Sequence, residues 1–310
     1  MKLHKVTAAV CVVLCQHAFA SEKTVLKIGV QSAGTLEWEL RVLPQSDAFD
    51  VQIQRVATAE AAKIALQSGA VDIIVADWLW VAQARQHGAQ WTLYPYSAIS
   101  GALVVPADSP IEQISDLAGK RLGITGGELD KNWLLLQAVA KKEGVNLQEN
   151  TEKTFGAPPL ISEQLKHKRV DAILTYWHFA AQLQAEGYKQ LLDGKALQEK
   201  LGIEDTVPTL GYVFNTSWAN AHKPALAAFF NATAQAKNTL CNNENAWQHA
   251  TATMPAPPPH LREHYCEGRI GAWTADFPVA AQKLYSILHQ FNPSIGDKAE
   301  LSPGTFWTTE

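Results

Sequence analysis

Cysteine, methionine and long apolar runs are all scarce in this chain. It has four cysteines and two methionines in 310 residues, and after residue 20 no segment offers the roughly 20 apolar residues that a membrane-spanning helix needs. Basic residues are not in excess either, since the formal net charge is −4. A mildly acidic chain is poorly suited to nucleic acid, so we expect no nucleic-acid partner.

Motifs of common catalytic sites are also missing. The sequence has no G-x-S-x-G elbow, no Walker loop and no paired-cysteine metal site. The segment His260–His264 has the H-x-x-E-H spacing of one zinc peptidase class, in which both histidines and the glutamate lie on one helix face. It follows a run of prolines and lacks a downstream ligand helix, and a solvated short helix is the simpler interpretation. We therefore predict a protein that is not an enzyme and has no cofactor or metal.

The N-terminus has the features of a secretory signal. Lys2 and Lys5 precede an apolar stretch over residues 6–14, and Ala18–Ala20 supplies a small-residue cleavage site. A lipoprotein signal would need a small residue before the lipidated cysteine, but Leu14 precedes Cys15. We predict cleavage after Ala20 and a periplasmic protein. Loss of the two lysines moves the net charge from −4 to −6.

Two cysteines remain after this cleavage, Cys241 and Cys266. In an oxidising compartment we expect a disulfide between them, which closes a C-terminal loop and stabilises the fold by about 3 kcal/mol. The alternative is a pair of unbonded buried thiols.

Short β-rich runs alternate with amphipathic stretches from Val25 onward, a pattern typical of an α/β fold with parallel sheets. The segment Val71–Trp78 (VDIIVADW) lines up with Val170–Trp177 (VDAILTYW). Two α/β units resemble each other at this level even without common ancestry, yet about 290 residues is the size at which one core gives way to two. We predict lobe 1 over residues 21–106 and 212–310, and lobe 2 over residues 107–211.

Ligands of α/β sheets bind beyond the carboxyl ends of the strands, and this rule selects four segments. The candidates are Gln31, Ser32, Thr35 and Trp38; Asp77 and Trp78; Thr125, Gly126, Gly127, Asp130 and Trp133; and Tyr176 and Trp177. The glycine loops can present backbone N–H groups to a ligand, although such loops also serve as plain turns.

Aromatic residues recur at these strand ends, which favours a stacking cleft over core packing, with Trp78 and Trp177 on opposite walls. Asp77 has no basic neighbour and the four segments contain no arginine. These features favour a cationic, zwitterionic or heteroaromatic ligand over an inorganic anion. As an alternative, Asp77 and Asp130 cap the helices that follow them.

From Leu26–Val30 to about Asn215 the sequence resembles the periplasmic binding proteins of ABC importers in the nitrate, sulfonate and taurine group, the NMT1/THI5-like proteins. The segments 34–40, 77–80, 129–133, 155–159 and 175–178 are similar to a branch found in methylotrophic and alcohol-oxidising bacteria. The resemblance implies a periplasmic binding protein-like type II fold, with two α/β lobes and a ligand cleft between them.

The same resemblance implies a function in transport. The expected activity is capture of a small organic solute, of the sulfonate, pyrimidine-like, amine or metal-chelate class, by a monomer that delivers it to an ABC permease and its ATPase. A ligand-sensing protein of a signalling system would use the same cleft. A pyrimidine-synthase-like enzyme shares the fold, but its cysteine-rich iron-site motif is missing here.

Overall fold

The computed structural model describes residues 23–32, 34–205, 207–254, 257–270 and 273–308. The predicted signal peptide lies outside the described residues. Among those described, no helix combines the length and the apolarity needed to cross a membrane.

The first sheet has five strands in the order β2-β1-β3-β10-β4. Its strands are β1 (Thr24–Gln31), β2 (Phe49–Val56), β3 (Ile73–Asp77), β4 (Trp91–Ser97) and β10 (Leu210–Asn215). Strands β2, β1 and β3 run parallel, and β10 is antiparallel to both β3 and β4. The connecting helices are α1 (Leu36–Arg41), α2 (Ala59–Gln67) and α3 (Trp78–Gln86).

The second sheet repeats this arrangement in the order β7-β6-β8-β5-β9. Its strands are β5 (Ala102–Val105), β6 (Arg121–Thr125), β7 (Glu152–Gly156), β8 (Ala172–Thr175) and β9 (Lys189–Asp193), and its helices are α4 (Lys131–Lys142), α5 (Leu147–Asn150), α6 (Pro158–Lys166), α7 (Trp177–Ala185) and α8 (Gly194–Lys200). Three strands are again parallel, and β5 is antiparallel to β8. The α/β class predicted from the sequence is confirmed.

Two glycines show how closely the halves correspond. A Cβ on Gly29 would lie 3.0 Å from Ile74 Cγ2, and a Cβ on Gly123 would lie 3.0 Å from Ile173 Cγ2. Each glycine therefore lets the neighbouring parallel strand and its side chains approach without a clash. Ile74 and Ile173, which are equivalent in the similar segments Val71–Trp78 and Val170–Trp177, thus make equivalent contacts.

The strand β5 corrects one boundary. The sequence pattern predicts that lobe 1 extends to residue 106, but Ala102–Val105 pairs with β8 and β9 in the second sheet. The chain crosses between the sheets before β5 and again before β10, and Thr209 joins the two crossings, since its N–H donates to Ser97 O at 2.8 Å. Strand β9 was not predicted, because its short sequence (KQLLD) alternates weakly.

In the described part of the chain, five α-helices follow β10: α9 (Thr216–Ala221), α10 (Lys223–Asn242), α11 (Glu244–Thr251), α12 (Leu261–Glu267) and α13 (Asp276–Phe291). The predicted disulfide is present and links Cys241 at the end of α10 to Cys266 in α12. Helix α13 contacts both halves: the Tyr285 ring lies 6.4 Å from that of Trp78, and Lys283 Nζ donates to Gly202 O at 3.0 Å. The C-terminal segment therefore does not pack on lobe 1 alone.

Two apolar clusters join the halves. The larger one, called the main core here, runs without a break from Leu79 and Leu93 through α13 to Leu134 and Leu174. The smaller, called the aromatic cluster, is formed by Trp38, Ala181, Leu240, Trp247, Ala250, Leu261 and Tyr265, with Trp177 packed against it.

Candidate ligand site between the two sheets

A cavity of about 250 Å³ lies between the two sheets and is walled by both halves of the chain. The first half contributes the ends of β1 and β3 and the first turns of α1, α2 and α3. The second half contributes the loop before α4 and the first turn of α7, and the two crossing segments close the floor. These are the carboxyl ends of parallel strands, where ligands of α/β sheets bind.

Two aspartates face this cavity from opposite sides. Asp77 Oδ1 accepts a hydrogen bond from Trp80 N at 3.0 Å and so caps α3. Asp130 Oδ1 accepts one from Asn132 N at 2.9 Å and so caps α4. Both caps confirm the alternative role considered for these residues, yet both side chains also line the cavity. Among the described residues, Oδ2 of each aspartate accepts no hydrogen bond.

The electrostatics of these carboxylates are coupled. Burial, assisted by the negative charge of Asp77, raises the pKa of Asp130 to about 6. Burial is the main cause that raises the pKa of Tyr176, and the negative charges of Asp130, Glu60 and Asp77 raise it further. Burial and the like charge of Asp77 thus both oppose ionisation of Asp130.

Two lysines also line the cavity, and each is already engaged. Lys131 is 4 % exposed and its Nζ donates to Thr209 O; burial lowers its pKa to about 8. Lys63 Nζ lies 3.9 Å from Glu60 Oε1 and 5.4 Å from the centre of the Trp80 ring. The three carboxylates thus outnumber the two ammonium groups.

The aromatic residues divide between the cavity and the core. Tyr176 and Trp177 line the cavity, as do Trp80 and Tyr96. Trp78 and Trp133 are 0 % exposed and belong to the main core, and Trp38 is 5 % exposed and belongs to the aromatic cluster. The structure does not place these three tryptophans at the cavity, so the predicted arrangement of Trp78 and Trp177 on opposite walls is corrected.

The other predicted site residues also divide into those that line the cavity and those that do not. Gln31, Thr35 and Gly127 line the cavity. Ser32, Thr125 and Gly126 do not: Ser32 N donates to Val56 O at 2.8 Å, and Thr125 Oγ1 donates to the buried Thr175 Oγ1 at 3.1 Å. Gly126 has φ of +94° and makes the tight turn ahead of Asp130.

Sequence reasoning missed several wall residues. They are chiefly Glu60, Lys63, Trp80, Tyr96, Ser100, Asn132 and Thr209. The strand-end rule applied to β2 would have found the first turn of α2. The crossing segments carry no comparable signal, because their position depends on how two distant parts of the chain meet.

The H-x-x-E-H segment has a different geometry from that of a zinc site. His260 lies outside α12 in the left-handed region (φ 64°), and its Nδ1 is 2.6 Å from Glu263 Oε2. His264 pairs instead with Glu267, at 3.3 Å. In the described part of the chain, no group of three or more His, Cys, Asp and Glu side chains is placed to hold a metal ion.

Two α/β halves with a cavity at facing strand ends define the class of two-lobed, type II binding folds. The family model described as "NMT1/THI5 like" matches residues 45–246, more than half of the chain. The protein therefore belongs to the NMT1/THI5-like family.

Solved structures are similar over nearly the whole chain. The alkanesulfonate-binding protein SsuA from Xanthomonas axonopodis pv. citri is 18% identical, with a TM-score of 0.74 over 93% of this chain and 99% of that one. SsuA from Escherichia coli is 16% identical, with a TM-score of 0.69 over 92% of each chain. The nitrate-binding protein NrtA from Synechocystis PCC 6803 is 12% identical, with a TM-score of 0.61 over 87% of this chain and 80% of that one. At sequence identities this low, the structural similarity establishes the fold alone. A search of curated protein sequences finds no match.

Proposed function

We propose that the protein is the periplasmic solute-binding component of an ABC importer, and that it captures a small organic solute in the cavity between its two lobes. The observation that carries this proposal is that facing strand ends of both halves wall one cavity of about 250 Å³. Membership of the NMT1/THI5-like family and the likeness to sulfonate- and nitrate-binding proteins support it.

The proposed motion is closure of the two lobes about the crossing segments. With β5 reassigned, the described part of lobe 1 spans about residues 23–98 and 210–308, and that of lobe 2 about residues 99–209. Gly101 N donates to Asn132 Oδ1 at 3.0 Å, and Lys131 Nζ donates to Thr209 O, so the first turn of α4 is attached to both crossings. A solute that contacts both lobes shifts the population toward the closed form.

The expected partners follow from this role. The closed monomer would present both lobe surfaces to a membrane permease, whose ATPase drives release of the solute. Export through the predicted signal peptide would deliver the mature chain to the periplasm.

The proposal is tested by native mass spectrometry of freshly purified protein, followed by a thermal-shift screen of small solutes. A solute present at 100 times its Kd should add about 2.7 kcal/mol to the free energy of unfolding. The same solute should change tryptophan fluorescence, because Trp80 and Trp177 line the cavity. The absence of any stabilising solute in a screen that spans sulfonates, pyrimidines, amines and metal chelates would count against the function.

A further inference from the structure

We infer that the solute carries a positive charge, which lies between the carboxylates of Asp77 and Asp130 on opposite walls of the cavity. This inference rests on the proposed function and names the ligand class of the same site. It separates the protein from the structural relatives that are named for binding sulfonate and nitrate anions.

The first support is the position of the two aspartates. The N-terminal ends of α3 and α4 carry partial positive charge and would otherwise attract an anion. Here the side chains of Asp77 and Asp130 occupy those ends as caps, so each end already has its negative partner. A sulfonate or carboxylate group at either of these two helix ends would meet these carboxylates instead of free N–H groups.

The second support is the charge of the whole wall. Glu60, Asp77 and Asp130 give three negative charges, whereas Lys63 and Lys131 give two positive ones. Both ammonium groups are engaged within the protein, and no arginine lines the cavity among the described residues. One carboxylate charge is therefore left for a ligand to neutralise.

The third support is the chemistry of the remaining wall. Trp80, Tyr176 and Trp177 present aromatic rings to the same cavity. Aromatic faces attract cations and accommodate flat groups, so they complement the carboxylates. An ammonium or amidinium group on a small organic body fits both features.

Closure itself gives a physical reason for this selectivity. Asp77 on lobe 1 and Asp130 on lobe 2 line one cavity with like charges, which the ammonium group of Lys131 offsets in part. Bringing two like charges together opposes closure, and a cation between them reverses the sign of the interaction. A positively charged solute is thus bound and also stabilises the closed form.

The test uses three probes that share a benzene ring and differ in charge: benzamidinium, benzamide and benzenesulfonate. Their affinities are measured by tryptophan fluorescence at pH 7.5. We expect benzamidinium to bind at least about tenfold more tightly than benzamide, as a charge-assisted contact requires.

Two variants tie the charge preference to these residues. Asp77→Asn and Asp130→Asn keep a capping oxygen, because asparagine is as good an N-cap as aspartate. Each should weaken benzamidinium binding by about tenfold and benzamide binding by much less, because only benzamidinium loses a charge-assisted contact. Asp193→Asn is the matched control: Asp193 caps α8 through Ala196 N at 2.8 Å and does not line the cavity.

Lowering the pH should weaken binding of the cation, as Asp130→Asn does, because it protonates the Asp130 carboxylate. A cation favours the ionised carboxyl, so affinity is full above the pKa of Asp130 and declines below it, by about tenfold between pH 7.5 and pH 5. Glu60, Lys63, Asp77, Tyr96, Lys131, Tyr176 and His178 also face this cavity. The Asp130→Asn variant separates their titration from that of Asp130, since the tenfold decline should vanish in it.

The outcomes are distinct. Tighter binding of benzenesulfonate, equal affinities, or a benzamidinium affinity insensitive to both variants would overturn the inference and leave solute binding intact. If none of the three probes binds, the affinity of the solute identified in the thermal-shift screen is measured in the same two variants. A solute without a positive charge, or one that binds both variants as tightly as the unaltered protein, would overturn the inference. A screen without any bound solute would overturn the proposed function itself.

Discussion

Glu39 is the most deeply buried acid described in this protein, with 0 % exposure. Its carboxyl accepts hydrogen bonds from Tyr96 OH at 2.7 Å and Tyr265 OH at 2.8 Å, and Lys237 Nζ lies 3.9 Å away. Burial raises the pKa of Glu39 and lowers that of Lys237, and the charge of each partly offsets the shift of the other. One residue thereby connects α1, β4, α10 and α12, and each group depends on the others for its ionisation state.

We expect Lys237→Met to lower the free energy of unfolding by about 3 kcal/mol, since it leaves a buried acid without its cation. The folded-state pKa of Glu39 is already above the unfolded value and rises further in the variant. Folding therefore favours the protonated acid, so the loss is small at pH 5 and grows as the pH rises. Urea denaturation at pH 5 and pH 8 measures this. Adding Glu39→Gln should restore stability at pH 8, and equal losses at both pH values would contradict the account.

At the scale of the element, α3 and α7 show how far sequence reasoning reached. Each begins with a tryptophan at the end of the third parallel strand of its sheet, and the similar segments Val71–Trp78 and Val170–Trp177 contain both strands. These segments did not indicate which of the two tryptophan rings would be buried and which would face the cavity. Trp78 is covered by Tyr285 of α13, a helix far along the chain, whereas Trp177 faces the cavity and lies 6.2 Å from Trp38. Local pattern determines the strand end, and long-range packing determines which side of it is covered.

Replacement of tryptophan by alanine should have opposite effects on stability and on binding at the starts of α3 and α7. Trp78→Ala should lower the free energy of unfolding by about 4 kcal/mol, because it leaves a large cavity in the main core. Trp177→Ala should cost about 1 kcal/mol and weaken binding of the screened solute by about tenfold, because it removes a wall of the site. Urea denaturation and fluorescence titration of both variants test this, and a stability loss in Trp177→Ala as large as that in Trp78→Ala would refute it.

The whole molecule has two kinds of contact between its lobes. The main core is continuous through α3, α4 and α13, and at the surface Lys141 Nζ of α4 donates to Phe291 O of α13 at 2.7 Å. The aromatic cluster joins the lobes through Trp177 and Ala181 of α7 against α1, α10 and α12. The main core contains many more buried residues than the aromatic cluster, so opening should occur at the aromatic cluster and leave the main core intact.

Hydrogen–deuterium exchange can locate this motion. Addition of a bound solute should slow exchange in the amides of α7 and α12 and leave those of α13 and the C-terminal half of α4 nearly unchanged, since only the first pair parts when the lobes open. Asp193→Asn protein serves as a control with an unaltered cavity. Equal protection of α13 and α12 would mean that the lobes separate along the main core instead.

The double role of Asp77 and Asp130 also bears on how such a protein diversifies. Every aspartate codon becomes an asparagine codon by a single change at its first base, and asparagine preserves the helix cap while removing the charge. A gene for this fold is thus one point mutation from a receptor of different charge preference, with no intermediate that must lose its structure. Selection on solute preference can then act at these two codons without opposing selection for folding.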